Sequence, residues 1–313
     1  MKLGLTADCL GMLSFDEVLD ACQKWGLDTI EIGCGAWSSA PHIDLDGMLA
    51  SKEKRSEYVK KIEDHGLKIA ALNVSGNPTA PGDYGKKHRE DTKKTFQLAE
   101  MLGVKRVVMM SGLPGGPGDA NPNWVLVHWP PKEVKAILDY QWNEVTIPFW
   151  KENVKMARDY GIEKLPLETH GWQLVYNTEN LIRLRQEIGG VDDLVGLNMD
   201  PSHALWMGAD PIQMIREIGD MIFYAHVKDV QFNPDKLALN TCMDTKPGKY
   251  MKERSWNFVN PGVGHDEIWW TRFVRELQLA GYDDVLSFEM EDHSGDPVPL
   301  MTKGIEFIRR ITG

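Results

Sequence analysis

Four apolar segments of this sequence each end in a side chain that can ligate a metal ion or move a proton. They are Lys164-Leu-Pro-Leu-Glu168, Val195-Gly-Leu-Asn-Met-Asp200, Phe223-Tyr-Ala-His226 and Val285-Leu-Ser-Phe-Glu289. Short apolar runs of this kind predict buried strands. Consecutive parallel strands lie side by side, so their carboxyl ends converge on one mouth. Three carboxylates there would repel one another unless a cation compensates, and divalent ions prefer such oxygen and nitrogen ligands.

The sequence therefore predicts one divalent metal site with Glu168, Asp200, His226 and Glu289 as ligands. Each residue alone has a plainer interpretation, because a strand-end Asp or Glu often caps a helix and His226 could be a hydrogen-bonded core histidine. The position of all four at equivalent strand ends favours the metal site.

Strand-like and helix-like segments alternate along the whole chain. Four further strands precede those above: Leu3–Ala7, Thr29–Gly33, Lys68–Ser75 and Arg106–Ser111. A helical stretch from about Glu133 to Tyr160 is predicted to bend or break near Pro148. Eight strand–helix units without a GxGxxG motif favour an α/β fold, a (β/α)₈ TIM barrel, over a dinucleotide-binding sheet. We expect residues 1–313 to form a single barrel domain.

Two long loops interrupt this regularity, one after strand 4 and one after strand 7. They run from Gly112 to Pro131 and from Val230 to Gly264. Long loops on the carboxyl face of a barrel commonly close over a ligand. Tryptophans in these loops or just after the metal strands would suit the apolar faces of a sugar ring: Trp124, Trp129, Trp256, Trp172 and Trp206.

The composition narrows the class of partner. The 313 residues carry a formal net charge of −11 and a pI near 5.3, which disfavours nucleic acid and anionic membranes. No run is long enough to span a bilayer, and Met1-Lys2 leads into a strand without a signal-peptide pattern. The four cysteines form no CxxC pair, as expected in a reducing cytoplasm. A homo-oligomer is left open.

Several motifs resemble the sugar phosphate isomerase/epimerase family, the xylose isomerase-like barrels, over essentially the whole chain. They are Leu167-Glu168-Thr-His170, Asn198-Met-Asp200-Pro-Ser-His203, His226-Val-Lys-Asp229, Gly262-Val-Gly-His-Asp266 and Ser287-Phe-Glu289-Met-Glu-Asp292. In ketose 3-epimerases of this group the matching Glu, Asp, His and Glu bind one Mn²⁺, Co²⁺ or Mg²⁺. Other members are inosose dehydratases, hydroxypyruvate isomerases and lyases acting on keto-glycosides.

The resemblance also implies substrate-binding residues. The epimerases have a histidine three residues after the metal aspartate, here His203, and an arginine after the seventh strand, for which Arg254 is the loosely matching candidate. We further expect His170, Asn73 and Trp124 to contact a small carbohydrate substrate.

We expect a metal-dependent isomerase or epimerase of carbohydrate metabolism that uses one Mn, Mg, Co or Zn ion. In this hypothesis the ion chelates a carbonyl and the adjacent hydroxyl of a sugar, ketose or keto-polyol. Glu168 then removes the proton between them to give an enediolate, and Glu289 delivers a proton to the opposite face.

The alternative reaction is elimination, by a lyase or dehydratase acting on a keto-sugar, an inosose or a 3-keto-glycoside. A leaving group beside the carbonyl would then depart with help from His170, Lys228 or Glu291.

Two other classes of protein are disfavoured. Apurinic-site endonucleases share the barrel, but their three-zinc cluster needs further histidines where this chain has Asn73, Ser75 and Ser111. A sugar-binding barrel that has lost its chemistry would not be expected to keep all four ligands.

Overall fold

The computed structural model describes residues 1–313. The strands are β1 (Lys2–Thr6), β2 (Thr29–Gly33), β3 (Lys68–Asn73), β4 (Val107–Val108), β5 (Leu165–Glu168), β6 (Val195–Met199), β7 (Ile222–Val227), β8 (Asp229–Phe232), β9 (Trp256–Val259) and β10 (Val285–Phe288). The α-helices are α1 (Phe15–Lys24), α2 (Leu45–Ala50), α3 (Lys52–Asp64), α4 (Gly82–Leu102), α5 (Pro131–Asp139), α6 (Ile147–Asp159), α7 (Thr178–Ile188), α8 (Pro201–Trp206), α9 (Pro211–Ile218), α10 (Pro234–Asn240), α11 (Glu267–Leu279) and α12 (Pro297–Thr312). None of these helices combines the length and apolar composition that crossing a bilayer requires.

Eight of the strands form one sheet, in the order β4-β3-β2-β1-β10-β7-β6-β5. Parallel bridges from Arg106 to Lys164 and from Met109 to Leu167 join the two ends of this order. The eight strands are those that the sequence predicted, and the (β/α)₈ barrel is confirmed. The remaining strands, β8 and β9, pair with each other as a separate antiparallel hairpin.

By internal contacts the chain divides into two compact units. The first unit comprises Met1–Ile30, His65–Lys68 and Met199–Gly313, and the second comprises Glu31–Asp64 and Ile69–Asn198.

The first unit is built on β1, β10 and β7. Each adjacent pair is parallel, with Leu3 opposite Leu286 and Ser287 opposite His226. Helices α11 and α12 contribute fully buried Phe273 and Ile308. Burying a side chain of this size stabilises the fold by about 1.5–3 kcal/mol.

The second unit contains β3 beside β4 and β5 beside β6, both pairs parallel. Phe96 of α4 and Leu181 of α7 are fully buried there. Between α5 and α6 the backbone forms one π-helical segment, Tyr140–Thr146. The helix predicted over this region is therefore interrupted before Pro148, which lies in the first turn of α6, where its missing N–H is harmless.

The long loop after β7 is tied to the barrel by one buried carboxylate, Asp229. Its oxygens accept hydrogen bonds from the backbone N–H groups of Gly262, Gly264 and His265 at 2.9–3.2 Å. Trp270 Nε1 donates to the same carboxylate at 3.2 Å. Asp229 is completely buried, and these donors, three at the far end of the loop and one on α11, offset the cost of burying its charge.

We expect Asp229→Asn to lower the free energy of unfolding by on the order of 3 kcal/mol, because an amide turns an N–H₂ group toward donors that need an acceptor. Urea denaturation measures this loss. Asp266→Asn is the matched control, since Asp266 is an exposed N-cap of α11 and Asn caps helices equally well. Equal stability of the two variants would contradict the anchoring role.

Candidate active site

Asp200 lies at the carboxyl end of β6 and is also the N-cap of α8. Its Oδ1 accepts the N–H of Ser202 at 2.8 Å, and Pro201 follows at the first helical position, a favourable start for a helix. This turn brings Nε2 of His203 to 3.5 Å from Oδ2 of Asp200. Both side chains are buried, so the Asp200 carboxylate and the His203 imidazole lie close together and away from solvent.

The ammonium of Lys228 lies at the centre of the polar cluster in the first unit. Its Nζ is 2.6 Å from Glu289 Oε2, 2.9 Å from Glu291 Oε1 and 3.1 Å from Asp200 Oδ2. The side chain is 1% exposed. Lys228 directly follows β7 and shares the face of His226, two residues earlier. The surrounding carboxylates offset its buried charge.

His226 and Glu289 come together because β7 and β10 are paired in register. Ser287 lies opposite His226, which places the residue after β10 beside the end of β7. His226 Nδ1 is 3.2 Å from Glu289 Oε2. His226 is completely buried, and the side chain of Glu289 is 21% exposed.

The donor set of the first unit fits a divalent ion. Asp200, His203 and Glu289 each offer one ligand atom, and these atoms lie within 4.8 Å of one another. Carboxylate oxygen and imidazole nitrogen are the ligands of Mn²⁺, Mg²⁺ or Zn²⁺ sites. The oxygens of Asp200 and Glu289 already converge on a positive charge at Lys228. His203 is therefore a further possible metal ligand, which the sequence had not predicted as one.

In the second unit, Glu168 ends β5 and pairs in register with Asn198 of β6. Asn198 Nδ2 donates to Glu168 Oε2 at 3.2 Å, and both residues are buried. The sequence analysis assigned no role to Asn198. The position of Asn198, two residues before Asp200 and on the same face of the strand, could have indicated this role.

Two more predicted site residues lie in the second unit. Asn73, at the end of β3, donates to Glu31 Oε1 at 2.6 Å, and Glu31 is a completely buried carboxylate that the sequence analysis did not single out. His170 and Glu168 offer ligand atoms within 4.8 Å of each other. The ring of His170 also packs edge-on against Trp37 at 5.7 Å.

The tryptophans divide into two groups. Trp206 and Trp256 are buried and stack on each other at 4.8 Å with an interplanar angle of 11°. Each ring therefore covers one face of the other, and that face is not available to a sugar. Trp129 is 75% exposed, and Trp124 packs edge-on against Tyr176 at 5.7 Å.

Arg254 precedes β9 and is buried, with its guanidinium 4.5 Å from the centre of the Trp256 ring. Burial lowers the pKa of Arg254, and the charges of Asp244 and Glu291 oppose this effect. Asp244 is itself desolvated, which raises the pKa of its carboxyl. Hydrogen bonds from the backbone of Lys246 and Ser255 and from the Lys246 side chain nevertheless lower that pKa to about 2. Asp244 is thus ionised and fixes the loop next to Arg254.

Cys9 is the cysteine nearest the cluster. Met290 N–H donates to its sulfur at 2.9 Å. Burial, and next the negative charge of Glu289, raise the pKa of the thiol far above its ordinary value. Cys9 is therefore protonated at neutral pH and is not a nucleophile.

Comparison with known proteins agrees with the fold. The YfiH protein of Bacillus subtilis (strain 168) is 46% identical over 313 residues, covering 99% of each chain. The solved structure of the IOLI protein with a bound zinc atom is similar over 100% of this chain and 96% of that one, with a TM-score of 0.66 and 22% identity.

A D-tagatose 3-epimerase-like protein is similar over 100% of this chain and 98% of its own, with a TM-score of 0.64 and 19% identity. The family model described as xylose isomerase-like TIM barrel matches residues 19–311. That match covers nearly the whole chain, so this protein belongs to the xylose isomerase-like TIM barrel family.

Proposed function

We propose that this protein is a divalent-metal-dependent isomerase or epimerase that moves a proton next to the carbonyl of a sugar, ketose or keto-polyol. The observation that carries the proposal is that Asp200 and Glu289 both contact the buried ammonium of Lys228, while Glu289 also lies 3.2 Å from the buried imidazole of His226. The D-tagatose 3-epimerase-like protein shares the fold, and the IOLI structure contains zinc. These two similarities support a metal-dependent reaction on a carbohydrate.

Glu168 is proposed as the fourth ligand. Asn198 holds Glu168 Oε2 at 3.2 Å, and Asp200 follows Asn198 by two residues on the same strand. Residues i and i+2 of a strand point to the same face, so the strand that orients Glu168 also carries Asp200. The ligand set predicted from the sequence, Glu168, Asp200, His226 and Glu289, is therefore retained as a proposal.

A bound divalent ion would act as a Lewis acid that makes the C–H bond beside a carbonyl easier to ionise. In the proposed mechanism, the carboxylate of Glu168 takes that proton while Asn198 keeps it oriented. Glu289 gives a proton to the opposite face of the same carbon, which inverts the centre. The buried imidazole of His226 beside Glu289 limits the access of water to that carboxylate.

Substrate contacts are assigned to the remaining predicted residues: His203, Arg254, His170, Asn73 and Trp124. His203 is the best placed of them in the first unit, because its Nε2 lies 3.1 Å from Lys228 Nζ and 3.5 Å from Asp200 Oδ2. An imidazole in that position can hydrogen-bond a substrate hydroxyl next to the reacting carbon.

One observation favours the lyase or dehydratase alternative. Elimination requires a group that stabilises the departing oxygen, and the ammonium of Lys228 is buried beside the proposed catalytic Glu289. A positive charge in this enclosed position would hydrogen-bond a leaving hydroxyl or alkoxide. The two reactions share every proposed ligand and differ in the fate of the substituent beside the carbonyl.

The proposal is tested in two steps. We expect protein purified without chelator to contain about one divalent ion per chain, and His226→Ala to lose it; one ion is the stoichiometry that a single site implies. Wild-type protein is then incubated in D₂O with pentuloses, hexuloses and inososes, and the products are identified by mass and NMR.

One deuterium gained with the molecular formula otherwise retained supports the isomerase or epimerase. Loss of water or of an aglycone supports elimination instead. Absence of a bound ion even after Mn²⁺ is added, or absence of any exchange or elimination with all the compounds, would refute the proposal.

A further inference from the structure

Arg254 is a buried cation for which the chain supplies no bonded partner. Its side chain is 8% exposed, and its Nε is buried without a hydrogen-bond partner. A buried guanidinium needs a counter-charge, because removing it from water costs free energy that only an anion and hydrogen bonds recover.

The two nearest acidic side chains are already engaged elsewhere. Asp244 binds the ammonium of Lys246 at 3.0 Å and the N–H of Ser255 at 2.8 Å. Glu291 binds Lys228 Nζ at 2.9 Å. Both carboxylates act on Arg254 through their longer-range field, and neither forms a hydrogen bond or an ion pair with it.

The guanidinium is held in a defined orientation. It lies 4.5 Å from the centre of the Trp256 ring, and its Nη1 lies beside Gly248, where an added Cβ would be 3.5 Å from it. The same Cβ would meet the ring of His293 at 2.5 Å. Glycine at 248 therefore lets the imidazole approach the loop next to the guanidinium. A guanidinium fixed in this way can bind a carboxylate or phosphate through two parallel hydrogen bonds.

A chain of ring contacts connects Arg254 with the catalytic cluster inside the first unit. Trp256 contacts Phe258 with ring centres 5.0 Å apart. Lys228 Nζ lies 4.7 Å from the centre of the Phe258 ring, and His203 packs edge-on against it at 5.1 Å. Two aromatic rings thus connect the guanidinium with the proposed catalytic groups.

We propose that Arg254 binds an anionic group of the substrate, so that the substrate is a sugar or keto-polyol bearing a carboxylate or a phosphate. This inference deepens the proposed function and rests on it for the identity of the site. A neutral hydroxyl would accept a hydrogen bond from Arg254 without placing a negative charge in contact with the guanidinium, whereas an anion does both.

The test uses chelator-treated, full-length protein, so that anion binding is measured without the metal. Tryptophan fluorescence follows titrations with inorganic phosphate, glycolate and, as the neutral probe, glycerol. We expect saturable binding of phosphate or glycolate and none of glycerol at the same concentrations. Arg254→Gln should weaken anion binding about tenfold or more. Arg254→Lys should weaken it as well, because an ammonium cannot form two parallel hydrogen bonds with the anion.

Lys252→Gln is the matched control, because it removes one positive charge from an exposed residue of the same loop and should leave anion binding unchanged. The relative affinities for phosphate and glycolate distinguish the two kinds of substrate. A melting temperature of Arg254→Gln at or above that of wild type is also expected, since an unpaired buried charge is removed.

Three results would overturn the inference. They are equal anion binding by wild type and Arg254→Gln, glycerol binding as tight as that of the anions, and no saturable binding of either anion. Metal content is measured on the same samples before chelation. An anion site in a protein without metal would refute the proposed function alone, whereas a metal-containing protein without the anion site would refute this inference alone.

Discussion

Glu168→Gln is expected to reduce the rate of hydrogen–deuterium exchange beside the substrate carbonyl by roughly 10²–10⁴-fold, the usual contribution of a positioned general base. Glutamine keeps the shape of the side chain and one oxygen, but it cannot accept the proton. Asn198 would still be able to bond the amide oxygen at position 168. The measurement is solvent deuterium incorporation by NMR at saturating metal, with metal content determined on the same sample.

Glu163→Gln provides the matched control for this experiment. Glu163 is exposed and lies in the turn before β5, so the same chemical change there should leave exchange and metal content as in wild type. Wild-type exchange by Glu168→Gln at full metal occupancy would remove Glu168 from its role as the base.

Lys228→Met is expected to destabilise the metal-free protein by about 3–5 kcal/mol, the cost of breaking a buried ion pair from one side. The substitution leaves the carboxylates of Asp200, Glu289 and Glu291 near one another without the ammonium that they now share. Urea denaturation in chelator gives the loss of unfolding free energy. Added Mn²⁺ should stabilise this variant more than wild type, because the ion and the ammonium compete for the same oxygens.

Lys155→Met is a suitable comparison, because Lys155 forms an exposed i,i+4 pair with Asp159 at 2.9 Å. Fully exposed pairs contribute little to stability because solvent screens them, so this variant should unfold almost as wild type does. If Lys228→Met lost no more stability in chelator than Lys155→Met, Lys228 would not be the charge that holds the carboxylates together.

The barrel was predictable because each of its strands is a short apolar run that ends in a polar residue. Hydrophobic patterning identifies such runs, and the topology of parallel strands brings their ends together. The same argument predicted Asp200, His226 and Glu289 as ligands, which remains a prediction. In the structure Asp200 and Glu289 contact Lys228, and the β7–β10 register places His226 beside Glu289.

The features that escaped the sequence depend on tertiary pairing. Lys228 was named from the sequence as a possible acid in elimination, but its burial was not predicted. A lysine is normally exposed, and only the approach of three carboxylates makes this burial favourable. The hairpin of β8 and β9 brings Trp256 onto Trp206 from 50 residues away, a contact that no local pattern encodes. The π-helical segment Tyr140–Thr146 interrupts a helical periodicity that otherwise continues on both sides.

The anchoring of the β7 loop has a consequence for how this protein can change. Asp229 stands at the start of the loop and binds the backbone at its end, at Gly262 and Gly264. A Cβ at position 264 would meet the carbonyl oxygen of Val230 at 2.0 Å, so the junction accepts only glycine there. The segment between these points, which includes Arg254, therefore has fixed ends. Substitutions in its exposed part, which includes Lys252, can accumulate without moving the two ends, whereas Phe258 is constrained by its packing on Lys228 and His203.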